Sequence, residues 1–125
     1  TTAYVKVAPA DTTAPQLAVT LTPNTLWPAL GQMVPITAHI SVKDDHDRQP
    51  EIRLEAITHN EANDASSDVI GAEFGTDDRR FWLRAVRDGR RGQKDRVYEV
   101  VYSATDWAGN KTLTKAYVIV PRRPR

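Results

Sequence analysis

The chain has 125 residues, contains no cysteine and carries a formal net charge of +1 at pH 7. Its length is enough for one domain with its own hydrophobic core, and the lack of cysteine excludes a disulfide framework and thiol chemistry. The nearly neutral charge argues against a dedicated nucleic-acid binder. Two basic stretches, residues 87–96 and 121–125, lack interleaved aromatic residues, so a solvated hairpin loop and a tail explain them better. No apolar run approaches the roughly 20 residues of a membrane-spanning helix.

The first 15 residues read as the end of a preceding module followed by a linker. Residues 3–7 have the pattern of a short strand, and residues 8–15 are rich in Ala, Pro and Thr. The strand pattern returns in residues 116–120, which suggests that residues 3–7 are the closing strand of an upstream copy in a tandem array. The alternative is chance, because short strand segments resemble one another.

Residues 16–121 contain seven segments in which apolar and polar residues alternate with the period of two that indicates a β-strand. These predicted strands are residues 16–22, 33–42, 51–58, 69–74, 79–87, 98–105 and 112–120. Turn signals recur about every ten residues, which is typical of an antiparallel β-sandwich of immunoglobulin or fibronectin III type. Residues 122–125 remain as a basic tail.

The same alternation predicts which side chains form the core of the sandwich. The hairpin of residues 98–120 gives the clearest signal, and we expect Tyr102 to lie in the core or to form a tyrosine-corner hydrogen bond. The predicted inward-facing side chains are Leu17, Val19, Leu21, Val34, Ile36, Ala38, Ile40, Val42, Ile52, Leu54, Ala56, Phe81, Leu83, Ala85, Tyr98, Val100, Tyr102 and Ala104.

Strands that alternate in direction sort the loops into two poles. The N-terminal pole combines the start of the domain with the second, fourth and sixth connections, and the C-terminal pole holds the other connections and the end of the last strand. The acidic side chains expected at the N-terminal pole are Asp11, Asp44, Asp45, Asp47, Asp77, Asp78 and Asp106. The basic side chains expected at the C-terminal pole are Arg90, Arg91, Lys94, Arg122, Arg123 and Arg125, partly offset by Glu61, Asp64 and Asp68. The domain should therefore be a dipole.

The N-terminal pole is the best candidate for a metal site. Ca²⁺ takes about six to eight oxygen ligands from carboxylates, amide carbonyls, backbone and water, and the linker and the last turn supply such groups close together. The predicted ligands are Asp11, Asp106 and Asn110, with Asp44, Asp45 and Asp47 on a neighbouring loop. The alternative is that these residues only form turns, since aspartate and asparagine side chains bond backbone amides.

Exposed aromatic rings can stack on sugar faces, and Trp82 is the best candidate because the alternation turns it outward between Arg80 and Arg84. Trp107 in the last turn and Trp27 in the first loop are further candidates for carbohydrate binding. The alternative is that Trp27 closes one end of the core and that Trp82 lies under the arginine side chains as a cation–π stack.

No arrangement of residues points to catalysis. His39, His46 and His59 are predicted on a strand and on loops at opposite poles, so they form no cluster with metal-ligand spacing. The sequence has no Gly-x-Ser-x-Gly elbow. Asp77 and Asp78 are neighbours in a turn rather than two carboxylates that face one cleft. We therefore predict that the domain is not an enzyme.

Two motifs resemble the two ends of bacterial immunoglobulin-like (HYR/fibronectin III-like) repeat domains. They are Asp11-Thr12-Thr13-Ala14-Pro15, where the domain begins, and Asp106-Trp107-Ala108-Gly109-Asn110, in its last turn. Further similar motifs are Leu26-Trp27-Pro28, Met33-Val34-Pro35-Ile36, Asp44-Asp45, Gly75-Thr76-Asp77-Asp78-Arg79 and Leu83-Arg84-Ala85. The resemblance covers residues 11–121.

The resemblance implies a non-catalytic spacer or adhesive module of a larger exported bacterial protein, secreted or held at the cell surface. Its partners would be neighbouring domains of the same polypeptide and a cell-surface glycan or protein. Calcium stiffens the joints between repeats in some adhesin arrays, which on this chain carries over to Asp11, Asp106 and Asn110 only. The competing prediction is an accessory carbohydrate-binding module of a secreted enzyme.

Overall fold

The structure of the chain is a computed structural model that describes residues 13–44, 50–61, 65–87 and 95–121. Within these ranges the chain forms seven β-strands and one short 3-10 helix, Ala65–Asp68. The strands are β1 (Gln16–Thr22), β2 (Met33–Lys43), β3 (Glu51–His59), β4 (Val69–Ile70), β5 (Arg80–Arg84), β6 (Arg96–Thr105) and β7 (Lys111–Val120). No helix in this part of the chain is long and apolar enough to cross a membrane.

The strands form two antiparallel sheets that pack face to face as a β-sandwich. One sheet has the strand order β1-β2-β5-β4 and the other has the order β3-β6-β7. Lettered in chain order, these are A-B-E-D and C-F-G, which is how a constant-type immunoglobulin domain divides its strands between two sheets. The predicted immunoglobulin-like sandwich of seven strands is therefore confirmed.

The core lies between the two sheets and consists of the side chains that the alternation turns inward. Leu54, Leu83, Val100 and Val118 are fully buried at its centre. On β1, Leu21 belongs to this core, whereas Leu17 and Val19 are partly buried and pack against it from its edge. The sequence therefore predicted the faces of the strands correctly, with one exception in β3.

The exception is Ala56, which was predicted to face inward and is only partly buried. A β-bulge shifts the register of β3 against β6 between Leu54 and Ala56, so that Leu54 pairs with Tyr102 while Ala56 pairs with Val101. One extra residue at a bulge exchanges the two faces of the rest of the strand. Ile57 therefore fills the core position in place of Ala56.

The fourth and fifth strands are shorter than predicted because the chain between them leaves the sheet. β4 ends before Gly71, whose φ of 76° is accessible to glycine and strained for other residues. The chain then crosses to the free edge of β3, where the Leu54 amide donates to the Thr76 carbonyl at 2.7 Å and the Gly75 amide donates to the Leu54 carbonyl at 2.8 Å. This crossing covers part of an edge that would otherwise be open to pairing with another chain.

Two tyrosines of β6 join the sheets through their hydroxyl groups. Tyr98 and Tyr102 are fully buried, and they lie four residues apart on the inward face of the strand. The Tyr98 hydroxyl donates to the Arg84 carbonyl at 2.7 Å, at the end of β5. The Tyr102 hydroxyl donates to the Asp78 carbonyl, two residues before β5 begins. The expectation that Tyr102 lies in the core is confirmed, whereas its hydroxyl does not form a tyrosine corner, because it bonds the loop before β5 and not the backbone a few residues upstream.

β1 and β7 close one side of the sandwich along a seam that side-chain hydroxyls hold together. Thr112 donates to the Pro15 carbonyl at 2.6 Å, and Thr114 donates to the Leu17 carbonyl at 3.1 Å. From the first contact to the second, the residue number rises by two in both strands. The two strands therefore run parallel along the seam. Farther along β7, Ile119 forms a parallel bridge with the loop that follows β1, where its amide donates to the Asn24 carbonyl at 2.9 Å.

The register confirms that the chain enters and leaves the domain at opposite poles. Pro15 lies beside Thr112 at the start of β7, whereas Val120 at its end pairs with Arg96. The turn with Asp77 and Asp78 was predicted at the N-terminal pole. It lies on that side of the sandwich but short of the pole, because the adjoining Arg79 carbonyl bonds the Ala38 amide near the middle of β2 and the Thr76 carbonyl bonds the Leu54 amide of β3. The predicted polar residues outside the described residues are Asp11, Asp45, Asp47, Asp64, Arg90, Arg91, Lys94, Arg122, Arg123 and Arg125.

Candidate functional site

The turn between β6 and β7 brings Asp106 and Asn110 together, as the calcium hypothesis requires. One oxygen of the Asp106 carboxylate accepts the amides of Ala108 and Asn110 at 3.0 and 2.9 Å, and the other accepts the Asn110 side-chain amide at 3.1 Å. Gly109, with φ of 91°, lets the backbone close the turn. Asp106 is 4% exposed, so its carboxylate serves the backbone of its own turn in the way that the turn-forming alternative describes.

Asp44 lies on the neighbouring loop and lines a small cavity at the N-terminal pole. The cavity has a volume of about 80 Å³, and its walls are formed by Thr13, Ala14, Gln16, Lys43 and Asp44. Within the described part of the chain, no three His, Asp or Glu side chains are arranged to hold a metal ion. The three remaining predicted ligands, Asp11, Asp45 and Asp47, lie outside the described residues.

The three tryptophans are all exposed, although to different degrees. Trp107 at the tip of the last turn is 72% exposed, and Trp82 on β5 is 43% exposed. The alternative interpretation of Trp27, in which its side chain closes one end of the core, is wrong. Trp27 is 44% exposed, whereas its neighbour Leu26 is 2% exposed. The amide of Leu26 donates to the Ile119 carbonyl at 2.8 Å, and this bond turns Leu26 rather than Trp27 into the core.

Trp82 lies in an apolar row on the outer face of the four-stranded sheet. Its partners directly across the sheet are Pro35 of β2 on one side and Ile70 of β4 on the other. Both neighbours are exposed, and Ile70 is 51% exposed. Gly71 lies so close that a Cβ atom built on it would be 3.5 Å from Cδ1 of the indole. The row presents an exposed apolar surface three side chains wide.

Arg84 does not provide the cation–π stack that was the alternative for Trp82. Its guanidinium is held at the other end of the strand, where Nε donates to the Asp68 carboxylate at 3.1 Å and Nη1 donates to the Gly31 carbonyl at 2.8 Å. A third donor, Nη2, reaches the Ser67 carbonyl at 3.3 Å. The face of Trp82 is therefore not covered by this arginine.

A buried ionic cluster at the C-terminal pole was not predicted from the sequence. Arg96 is 2% exposed and lies between two acidic side chains that are also buried. Its Nε donates to the Glu61 carboxylate at 2.7 Å, and its Nη1 donates to the Asp68 carboxylate at 2.6 Å. The same Nη1 is 2.9 Å from the Tyr98 hydroxyl. Burial alone lowers the pKa of the Arg96 guanidinium, but these hydrogen bonds outweigh it and the net shift is upward.

His59 lies against this cluster with its side chain only 1% exposed. Its Nδ1 accepts the Glu61 amide at 3.1 Å, whereas its Nε2 is 4.0 Å from the Asp68 carboxylate and makes no hydrogen bond within the described residues. Its ring meets the Tyr98 ring edge to face at a centroid distance of 5.8 Å. Burial lowers the pKa of His59, and the Arg96 charge lowers it further.

The cluster was missed because Arg96 was interpreted as part of a solvated basic loop. A signal for it is present in the sequence, since Arg96 stands two residues before Tyr98 and is in phase with Val100 and Tyr102 on the inward face of β6. The cluster joins the loop after β3, the 3-10 helix and the ends of β5 and β6. All its charged groups are engaged with one another, so its arrangement is that of a structural ion network.

No protein-family profile, curated protein or solved structure matches this chain. The resemblance to bacterial immunoglobulin-like repeats therefore rests on the sequence motifs alone.

Proposed function

We propose that the chain is a non-catalytic immunoglobulin-like spacer or adhesive module of a larger exported bacterial protein, secreted or at the cell surface. The observation that carries this proposal is the placement of the two ends of the domain at opposite poles. β7 alone spans ten residues, about 30 Å at the usual rise per residue. Modules joined in series through these poles would extend end to end and would hold neighbouring domains of the polypeptide at a set distance.

The seam between β1 and β7 suits a module that carries tension. Force applied through the two poles would pull β1 and β7 in opposite directions along their length. Because the two strands run parallel along the seam, the bonds from Thr112 and Thr114 and the bridge at Ile119 would be loaded together rather than one after another. Bonds that share a load must break together, so this geometry resists extension better than a hairpin that opens from one end.

We therefore predict that Thr114→Val unfolds faster under load. The substitution keeps the branched shape but removes the donor to the Leu17 carbonyl, a loss of about 1 kcal/mol that raises the unfolding rate by about fivefold when the bond is already broken at the unfolding barrier. The measurement is single-molecule extension of the chain held through its two termini.

Thr20→Val is the matched control, because Thr20 lies exposed on the outer face of β1 and its loss should leave the unfolding rate nearly unchanged. When the force is applied between two residues that both lie at the N-terminal pole, Thr114→Val and Thr20→Val should unfold at equal rates. Such a force does not pull β1 and β7 in opposite directions. Equal unfolding rates for Thr114→Val and Thr20→Val under end-to-end load would refute the load-bearing seam.

We further propose that Ca²⁺ at Asp11, Asp106 and Asn110 fixes the linker against the last turn. This proposal is supported by the close approach of Asp106 and Asn110 and by the position of Asp44 on the adjacent loop. The carboxylate of Asp106 also accepts backbone amides, so a bound ion would share its oxygens with the turn.

Thermal melting in 2 mM Ca²⁺ and in EDTA tests this site. A ligand that binds only the folded state adds about 2.7 kcal/mol at 100 times its Kd, which is several degrees for a domain of this size. We expect such a rise in the wild type and its loss in Asp106→Asn. Each variant is compared with itself in EDTA, because Asp106→Asn also weakens the turn. Asp77→Asn changes a carboxylate that pairs with Arg79, so it should keep the full rise. Identical wild-type melts in the two buffers would exclude the site.

Carbohydrate binding is the second candidate function, as in an accessory module of a secreted enzyme. It is supported by the exposed apolar row of Pro35, Trp82 and Ile70 on the outer face of the four-stranded sheet. A pyranose ring has a face of C–H groups that can pack on such a surface, where an exposed indole is the usual anchor.

A further inference from the structure

Arg80 gives the Trp82 face a charged group that no side chain in the described part of the domain binds. It lies on β5 two residues before Trp82 and is likewise exposed on the outer face. Its backbone amide donates to the Asp78 carboxylate at 3.1 Å, whereas its guanidinium makes no hydrogen bond or ion pair within the described residues. Arg84, on the other side of Trp82, has its three donor nitrogens engaged. The face therefore offers one indole and one available guanidinium.

The acidic groups nearest to Arg80 along the chain are already engaged elsewhere. The Asp77 carboxylate accepts both Nε and Nη2 of Arg79, at 2.7 and 2.9 Å. The Asp78 carboxylate accepts the backbone amides of Glu73 and Arg80 at 2.8 and 3.1 Å. Neither acid is therefore bonded to the guanidinium of Arg80, which remains able to bind an anion from solution.

Trp82 and Arg80 are placed so that they can act on one ligand. Residues two apart on one face of a strand have Cα atoms about 7 Å apart, and both side chains are exposed on the outer face. A guanidinium binds a carboxylate through N–H···O hydrogen bonds of about 2.8 Å. A uronic acid carries a carboxylate on C5 of its pyranose ring, so a ring that stacks on Trp82 can present that carboxylate to Arg80.

We propose that the Trp82 face binds uronic-acid residues of an acidic polysaccharide, with Trp82 as the stacking platform and Arg80 as the carboxylate-binding group. Charge complementarity favours this occupant, because a carboxylate can form a bidentate, fully charged contact with the guanidinium that a neutral sugar hydroxyl cannot form. The open face gives weak binding, with a Kd on the order of 1 mM. The proposal rests on the carbohydrate-binding candidate and adds the chemical class of its ligand.

The experiment is an NMR titration of the ¹⁵N-labelled chain with tetramers of galacturonate, glucuronate and mannuronate. The chain has three tryptophans, so the indole N–H signals of Trp27 and Trp107 serve as internal references for Trp82. The fully methyl-esterified tetramers have the same rings without the negative charge. We expect the Trp82 signal to shift with at least one uronate, the other two signals to stay in place, and the ester to bind about tenfold more weakly.

Two charge-matched variants identify the group that reads the carboxylate. Arg80→Gln should bind the uronate and its ester equally, because only stacking remains. Arg53→Gln removes the same charge from the outer face of the other sheet, where Arg53 pairs with Glu51, and it should keep the wild-type preference. Trp82→Ala should abolish the binding of both ligands.

The outcomes separate this inference from the function on which it rests. Equal binding of uronate and ester by the wild type would overturn the role of Arg80 and leave carbohydrate binding in place. A Trp82 signal that no uronate or ester shifts up to about ten times the expected Kd would overturn both, since a 1 mM site would then be almost saturated. Equal effects of Arg80→Gln and Arg53→Gln would assign the preference to overall charge and overturn the proposal.

Discussion

Replacing Arg96 by methionine is expected to lower the free energy of unfolding by about 3–5 kcal/mol, the usual cost of breaking a buried ion pair by removal of one partner. The substitution removes the Arg96 guanidinium from the Glu61 carboxylate, whose side chain is fully buried. It also leaves the Asp68 carboxylate with Arg84 as its remaining cation. A domain of this kind has a total stability of about 5–15 kcal/mol, so the loss is a large share of the whole. Urea unfolding followed by tryptophan fluorescence measures it.

Two further variants separate charge from geometry at the same position. Arg96→Lys keeps the positive charge but cannot donate in a fixed fork to two carboxylates and a tyrosine hydroxyl, so we expect an intermediate loss. Arg53→Met removes an arginine that pairs with Glu51 in solvent, and its cost should be within about 0.5 kcal/mol. An Arg96→Met variant as stable as Arg53→Met would show that the cluster is not buried in solution.

The strand faces could be predicted because alternation is a local property of the sequence. Residues such as Phe81 and Leu83 occur with a period of two, and the buried face follows from that period alone. The sheet order follows almost as directly, because seven alternating strands with short turns have few ways to cover one another. The same argument correctly placed Trp82 on the outer face of β5.

The features that could not be predicted depend on contacts between residues far apart in the chain. The bulge at Leu54 is stabilised by a loop more than 20 residues later, since Leu54 exchanges hydrogen bonds with Gly75 and Thr76. The burial of Arg96 depends on Glu61 and on Asp68, which lie 35 and 28 residues earlier. From the sequence alone, a charged residue in a basic stretch is expected to be exposed to solvent, because its partners are not known. Polar side chains turned inward within a clear alternation are therefore worth examining for buried partners.

The candidate sites also differ in how far they could be predicted from the sequence. The contact between Asp106 and Asn110 lies within one turn, and its residue types and spacing were enough to predict it. The availability of Arg80 was not predictable, because it depends on Arg84 being held by Asp68 and on Asp77 being held by Arg79. A sequence pattern predicts which side chains lie at a surface. Which of them remain able to bind a ligand depends on the hydrogen bonds and ion pairs that they form with one another.

Tyr102 is a fully buried aromatic residue of β6. Tyr102→Ala is expected to lower the free energy of unfolding by about 3–5 kcal/mol, the range for removal of a buried aromatic side chain. The ring fills the core opposite Leu54, and its hydroxyl holds the Asp78 carbonyl. Tyr102→Phe retains the ring and loses only that hydrogen bond, so its cost should be about 1–2 kcal/mol. The difference between the two variants measures the packing of the ring apart from its polar contact.

Tyr117→Ala is the matched control, because Tyr117 is 49% exposed on the outer face of β7, and its cost should be under about 1 kcal/mol. All three variants can be compared by urea unfolding with a common slope, since none changes the surface that the unfolded chain exposes by much. Equal costs for Tyr102→Ala and Tyr117→Ala would contradict the inward orientation of Tyr102, and with it the face of β6 that also carries Arg96. The two predictions therefore test one register, because a shift of β6 by a single residue would expose both side chains.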